Sequence, residues 1–364
     1  MSQNSKASPL SMMADRTPTE YWNDSCDIDE LSYAIGNGAV GATTNPVIVA
    51  AVLKKSYKAW EPDIKTYISA HPECTEDSLA WAIIEKMGTK AAALLLPIFQ
   101  SSKGKKGRLS IQINPKYHSN KALMVEQALH LNSIAANLNI KLPVTAAGVE
   151  AIEELTYRGV SVNATVSFAV SQSIAVAEAI ERGLARRKRE GSPVDEMSPI
   201  CTIMEGRLDD WLKKIAEKKG IITDPGNLEW AGVAVVKKAY GIYKERGYAA
   251  RLLTAAYRNH MHWSEFIGGE LSQTIPYEWQ VKFNACDVSV VNRIADQVDP
   301  KIIESLQKKF PDFNRAYNTD GLAPEEFGGF GPTRRTLRQF LKSYDELVGI
   351  MRDALIPDPD IRGE

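Results

Sequence analysis

Apolar residues recur along this chain at two spacings, and the spacings alternate. Near 21–24, 39–44, 109–113, 139–144, 160–167, 197–204, 251–257 and 273–277 they fall at every second position, as in β-strands. Between these stretches they fall every three or four residues. Met124, Ala128, Leu131, Ala135 and Leu138 make one such helical stripe. The segment 145–158 starts at Thr145, a suitable N-cap, and stops at Arg158-Gly159. Asp27 has the same capping character. Eight strands with intervening helices in roughly 280 residues predict an α/β fold, a single (β/α)8 TIM barrel with additional C-terminal helices. A doubly wound open sheet is the alternative. After about residue 286 the alternation stops. Leu337, Leu341, Tyr344, Val348, Met351 and Leu355 then predict a long amphipathic helix packed on the barrel. The organisation expected is a flexible segment at 1–20, a barrel domain at 21–290 and a helical extension at 291–364, without internal repeats or low-complexity segments.

The polar positions carry more information than the apolar ones. In LSIQIN, Ser110, Gln112 and Asn114 alternate with Leu109, Ile111 and Ile113. In VSVNATVSF, Ser161, Asn163, Thr165 and Ser167 alternate with apolar residues, and in LTAAYR so do Thr254, Ala256 and Arg258. Helices cover the outside of a parallel barrel, so the apolar sets face outward and the polar sets face in. A barrel interior is normally filled with branched apolar side chains. Several polar strands lining it therefore describe a site. In NIKLPVT, Lys141 lies on the same inward face, on the strand between those of Gln112 and Thr165. A lysine on a sheet edge is ordinary, but one held inside a barrel is not.

Composition narrows the class. The formal net charge of −1, from 44 basic and 45 acidic residues, gives no general attraction to nucleic acid or membrane. A hydrophobic content of 44% with 24% charged residues suits a globular protein. No apolar run approaches the length of a bilayer span, and the first twenty residues lack the apolar core of a secretory signal. Cys26, Cys74, Cys201 and Cys286 are scattered, without metal or disulfide spacing. Reduced thiols and a cytoplasmic location follow.

A desolvated lysine among uncharged polar groups has a lowered pKa and a larger share of free amine. Such an amine attacks a carbonyl and forms a Schiff base, an electron sink for breaking the neighbouring C–C bond. Asp24, at the end of the first strand, is the best-placed carboxylate for the proton transfers. Three other signals stand in the sequence. HMHWSE brings His260, His262 and Glu265 together, but without a third strong ligand contact with substrate is favoured over a metal. FGGFGP at 327–332 reads as a capped turn before a helix with Pro332 in its first turn. RGLARRKRE at 182–190 reads as a solvated helix end.

Seven stretches resemble the transaldolase family in that family's order. They are WNDSCDI at 22–28, GATTNPVI at 41–48, KLPVTAAGVEAIEEL at 141–155, VNATVSFAVSQ at 162–172, EGRLDDW at 205–211, TDPG at 223–226 and AAYRN at 255–259. The helix at 333–356 resembles the family's C-terminal segment. The resemblance implies class I aldolase chemistry without metal or organic cofactor. It assigns the Schiff base to Lys141, acid–base work to Asp24, and help in holding the catalytic water to Thr165. Thr43, Asn45 and Asn163 match positions around a bound three-carbon unit. Arg207 and Arg258 match two arginines that grip a sugar phosphate, a task suited to the guanidinium fork.

Four positions depart from the pattern. Gln112 stands where transaldolases carry a glutamate and resembles the fructose-6-phosphate aldolase branch. Met204 stands where that branch has a tyrosine. Thr202 replaces a serine near the ketose, and Ala256 a serine near the phosphate. The function expected is a transferase moving a dihydroxyacetone unit from a ketose phosphate to an aldose phosphate. The alternatives are an aldolase releasing free dihydroxyacetone and a sugar-phosphate-binding protein without turnover. The partners expected are sugar phosphates, not nucleic acid or membrane, and a homodimer is compatible with this reading.

Overall fold

Eight parallel strands close into a barrel in sequence order. They are β1 (Glu20–Asn23), β2 (Gly41–Thr43), β3 (Arg108–Gln112), β4 (Leu138–Pro143), β5 (Val162–Ser167), β6 (Ile200–Ile203), β7 (Arg251–Thr254) and β8 (Ser272–Ile275). The structure is a computed structural model and describes residues 7–360. β1 pairs with β8 from Glu20↔Ser272 to Asn23↔Ile275, so the sheet has no free edge. The (β/α)8 expectation is met, and the open sheet is excluded. Leu109, Ile111, Ile140, Leu142, Val162 and Ala164 are buried with the helices around the barrel. The hydrophobic effect thus fixes which face of each strand points outward, and the polar face is left inside.

Helices connect the strands where the periodicity placed them, with boundaries set by caps. Thr145 accepts from the Gly148 N–H and starts Ala146–Tyr157. Asp27 caps Ile28–Gly36 through the N–H groups of Asp29 and Glu30. The stripe beginning at Met124 ends earlier than its apolar period. That helix is Lys121–Ile134, and Leu138 is already the first residue of β4. An apolar residue serves either element, and the sheet takes it.

Part of the segment 1–20, expected to be flexible, is helical. Pro9–Arg16 forms a helix capped by Ser8, and its Leu10 and Met13 are fully buried against the barrel. Pro9 starts the helix, and two apolar residues on one face give it a place to pack. Residues 1–6 of that segment, and 361–364 of the expected extension, lie outside the described residues.

After β8 the chain is helical at Tyr277–Ala285, Pro300–Lys309, Pro311–Tyr317 and Gly331–Leu355, with a 3-10 stretch at Pro324–Gly329. Pro332 lies in the first turn of the last helix, as FGGFGP suggested. Val170–Arg189 ends in the four basic residues Arg186–Arg189, and Arg182 and Arg186 pair with Glu153 and Glu154. That run is a solvated helix end. The C-terminal helix packs on Glu205–Lys219, which follows β6, and on Pro46–Lys55 and Glu76–Ser101, which follow β2. It touches β5 on the way. β2 and β6 lie on opposite sides of the barrel, so this helix runs across the carboxyl end of the strands. No helix among the described residues is long and apolar enough to cross a membrane.

Candidate active site

Lys141 sits in the middle of the barrel wall, on β4 between Gln112 of β3 and Asn163 of β5. It is 4% exposed, and among the described residues its amine makes no hydrogen bond. Burial brings this amine down to about 8 from its ordinary value, the Asp24 charge opposing the change and the Arg207 charge assisting it. Asp24 directly follows β1, its backbone N–H continuing the ladder to Ile275. Burial raises its carboxyl above the usual range, against Lys141, the Thr43 hydroxyl and Arg207. Each of the two groups therefore shifts the other toward its charged form, and desolvation shifts both toward neutrality.

The remaining interior positions hold one another. The Thr43 hydroxyl donates to Asp24 Oδ1 at 2.6 Å and lies 2.6 Å from the Thr274 hydroxyl. Thr202 donates to Asn163 Oδ1 at 2.6 Å, and Asn163 Nδ2 donates to Ser110 at 3.0 Å. Asn163 is thus committed on both sides of its amide. Asn45 is the N-cap of Pro46–Lys55, accepting from Val47 and Ile48. Its NH2 is the part that remains. Gln112 is buried, and its Oε1 has no partner among the described residues. Thr165 lies 3.9 Å from the Met204 sulfur, a weak acceptor. The next residue, Val166, has φ +59, and the β5–β6 register shifts between Ala164 and Ser167. A β-branched residue in the left-handed region marks local strain. This bulge breaks the alternation expected through Phe168 and re-aims the wall beside Thr165.

Arg207 occupies the first turn of Glu205–Lys219. Burial, and then the charge of Arg258, bring its guanidinium down to about 10. Arg258 is not on an inward strand face as expected. β7 stops at Thr254, Ala256 takes φ +75, and Arg258 is exposed on the loop beyond. There its Nε and Nη2 grip the Asp210 carboxylate at 2.8–3.1 Å. The two arginines are brought together by close contact of these segments. A Cβ at Gly206 would lie 1.8 Å from the Ala256 carbonyl oxygen, so only glycine fits there. His262 also departs from expectation: it is fully buried against Asp209, while His260 is exposed.

Sequence reasoning missed Thr274, although a polar residue on an alternating strand was the available signal. It also missed Gln339 and Arg335 on the C-terminal helix. Arg207 Nη1 donates to Gln339 Oε1, and its guanidinium lies over the Phe340 ring at 5.5 Å. Arg335 reaches the Asp210 carbonyl oxygen at 3.4 Å. Nothing local in RRTLRQ announces these contacts, because they depend on where the helix is laid.

Barrels in which polar side chains gather at the carboxyl ends of the strands form a class of proteins that act on small molecules at that end. Residues 21–347 match the transaldolase/fructose-6-phosphate aldolase family, and the chain belongs to it. It is similar to the transaldolase of Thiobacillus denitrificans, 32% identical over 225 residues, 60% of this chain and 61% of the relative. It is likewise similar to the transaldolase of Mycolicibacterium smegmatis, 29% identical over 255 residues, 67% of this chain and 66% of the relative. The transaldolase of Mycobacterium tuberculosis is 27% identical over 208 residues, 57% of this chain and 55% of the relative. The matched stretch therefore spans between 55% and 66% of these relatives' own length.

Proposed function

We propose that the chain is a transaldolase-type transferase that moves a dihydroxyacetone unit from a ketose phosphate to an aldose phosphate. The observation that carries this reading is the Lys141 amine, buried, free of hydrogen bonds among the described residues, and electrostatically coupled to Asp24. The free amine attacks the ketose carbonyl, and loss of water leaves a protonated imine. Asp24 takes the proton of the hydroxyl next to the breaking C–C bond, while the bonding electrons move into the imine nitrogen. The aldose phosphate leaves and a three-carbon enamine remains. The acceptor aldehyde then takes these electrons, Asp24 returns its proton, and water releases the new ketose.

Gln112 and Thr165 stand where that water is handled, Thr43, Asn45, Asn163 and Thr202 around the three-carbon unit, and Arg207 with Arg258 at the phosphate. Catalysis is assigned to residues 21–290, and within the extension at 291–364 the helix Gly331–Leu355 lies over the mouth and reaches Arg207. Four free cysteines support a cytoplasmic location. A homodimer is part of the proposal, to be read by light scattering.

Borohydride reduction in the presence of dihydroxyacetone tests the central claim. A stable adduct is expected on the peptide carrying Lys141. An adduct elsewhere, or wild-type activity in Lys141→Ala, overturns it. Lys141→Arg should also be inactive, because arginine keeps its proton. A second reading, an aldolase that releases free dihydroxyacetone, is favoured by the absence of an ionisable side chain at position 112. Assays of a ketose phosphate with and without an aldose phosphate acceptor separate the two.

A further inference from the structure

Arg258 owes its place to its backbone as much as to its side chain. Past Ala256 the chain has left the sheet, and no strand partner fixes it. Asp209 and His262, both fully buried, lie side by side there, with Oδ2 2.8 Å from Nε2. The other ring nitrogen, Nδ1, accepts the backbone N–H of Arg258 at 3.0 Å. Asp209 Oδ1 accepts from the Gly232 N–H at 2.8 Å. A nitrogen that accepts carries no hydrogen, so the ring hydrogen sits on Nε2 and is donated to Asp209. Asn259 Oδ1 accepts from the N–H groups of Met261 and His262, which fixes the ring's own backbone. The Tyr257 ring packs edge-on against the imidazole with centroids 6.3 Å apart. Every polar atom of the pair has one assigned partner. A buried polar pair costs desolvation, and its return is geometry.

We infer that His262, oriented by Asp209, is a positioning residue that holds the Arg258 backbone so that its guanidinium faces the phosphate site beside Arg207. This inference rests on the reading of Arg258 as a phosphate ligand. His262 itself is fully buried and touches no substrate. It ties the loop after β7 to the N-terminal half of Glu205–Lys219, through Asp209, and these two segments supply the arginines. The same two segments meet again where the Ala255 N–H donates to the buried Glu205 carboxylate at 2.8 Å. That contact holds the loop three residues earlier and leaves the Arg258 N–H to His262.

Two substitutions separate positioning from mere packing. His262→Leu and His262→Asn both remove the ring N–H that Asp209 Oδ2 accepts, and both leave space beside Tyr257. Only asparagine keeps an acceptor, its Oδ1, near the place of Nδ1. The probe is inorganic phosphate, titrated calorimetrically into the whole chain. His262→Leu should weaken phosphate binding about tenfold, the usual size of one well-placed hydrogen bond. His262→Asn should stay within about threefold of wild type, and both should keep wild-type borohydride trapping of dihydroxyacetone on Lys141. Equal weakening by the two variants, or unchanged phosphate binding in His262→Leu, overturns the inference. So does an Arg258→Ala variant that binds phosphate as wild type does. Should neither ring variant fold, Asp209→Leu keeps roughly the size and carries the test. It removes both acceptors, so the ring loses its orienting partner, and unchanged phosphate affinity there also overturns the inference. A wild type that binds phosphate but traps no dihydroxyacetone would sink the Schiff-base reading and leave this test standing.

Discussion

Thr43 donates its hydroxyl hydrogen to Asp24 at 2.6 Å, and Thr274 lies at the same distance on the other side of Thr43. With its one hydrogen used on Asp24, Thr43 can only accept from Thr274, so the two threonines form a directed chain ending on the carboxylate. This bond favours the charged form of Asp24 and opposes the effect of burial. Thr43→Val keeps the shape and removes the bond, so the Asp24 carboxyl should rise further. The acid limb of C–C cleavage, measured in single turnover from the preformed imine, should then move to higher pH. An unmoved limb would show that Thr43 contributes packing alone.

The amine that attacks must be free, and burial sets Lys141 at about 8. The rate of imine trapping should therefore rise with pH through about 8. The Asp24 charge raises this value and the Arg207 charge lowers it. Asp24→Asn should shift the trapping profile to lower pH, and Arg207→Met should shift it to higher pH. Shifts in the opposite sense would separate Lys141 from both charges.

A catalytic group held away from its preferred charge state costs stability. Lys141 falls from 10.5 in the unfolded chain to about 8 in the fold. The unfolded chain thus holds the proton more tightly, and the penalty is complete below about 8 and fades as pH rises toward 10.5. At neutral pH it amounts to about 3 kcal/mol. Lys141→Met should be inactive but more stable than wild type at pH 7 in urea melts, by up to that amount. The advantage should shrink at alkaline pH. A methionine variant less stable than wild type at neutral pH would contradict this account.

Gln112 presents a buried Oε1 without a partner among the described residues. It cannot act as a base at neutral pH, so proton traffic through the water leans on Asp24 and Thr165. The wild type should release measurable free dihydroxyacetone, with transfer the faster route when an aldose phosphate is present. Gln112→Glu should change the ratio of release to transfer and leave Lys141 trapping intact. If neither the ratio nor the pH profile changes, Gln112 is a packing residue.

The C-terminal helix supplies Gln339 to Arg207 and brings Arg335 to the Asp210 backbone. Gln339→Ala should raise KM for phosphorylated sugars about three- to tenfold, with kcat nearly unchanged, the size of one hydrogen bond to a charged group. Equal effects on unphosphorylated substrates would assign Gln339 to packing.

Much of this protein was legible in its sequence. Alternation placed all eight strands, because a strand covered on one face must put its apolar residues there. The same rule placed Ser110, Gln112, Lys141, Asn163 and Thr165 on one inner surface without knowledge of contacts. Capping chemistry is equally local, so Thr145 and Asp27 were assigned correctly from a few residues around them. Boundaries were less legible: Leu138 fits the helical period and the strand equally well, and Pro9–Arg16 becomes a helix only where its apolar face finds the barrel.

The arginine site shows where local reading stops. Alternation carried Arg258 onto an inward face, but β7 ends at Thr254 and the left-handed Ala256 turns the chain out of the sheet. Whether a strand continues depends on a neighbour to hydrogen-bond, which is a property of the closed barrel. His262 looked like a substrate contact by its place in the sequence, and becomes a backbone support because Asp209, 53 positions earlier, meets it in the core. Gln339 reaches Arg207 across 132 positions, because the last helix lies over the barrel mouth. The sequence by itself therefore determined the fold, the inner face and the candidate amine, since periodicity and burial act over a few residues. Only the tertiary structure decided the bulge at Val166, the route to Arg258 and the partners of Arg207, since these depend on long-range packing and hydrogen bonds that no local pattern encodes.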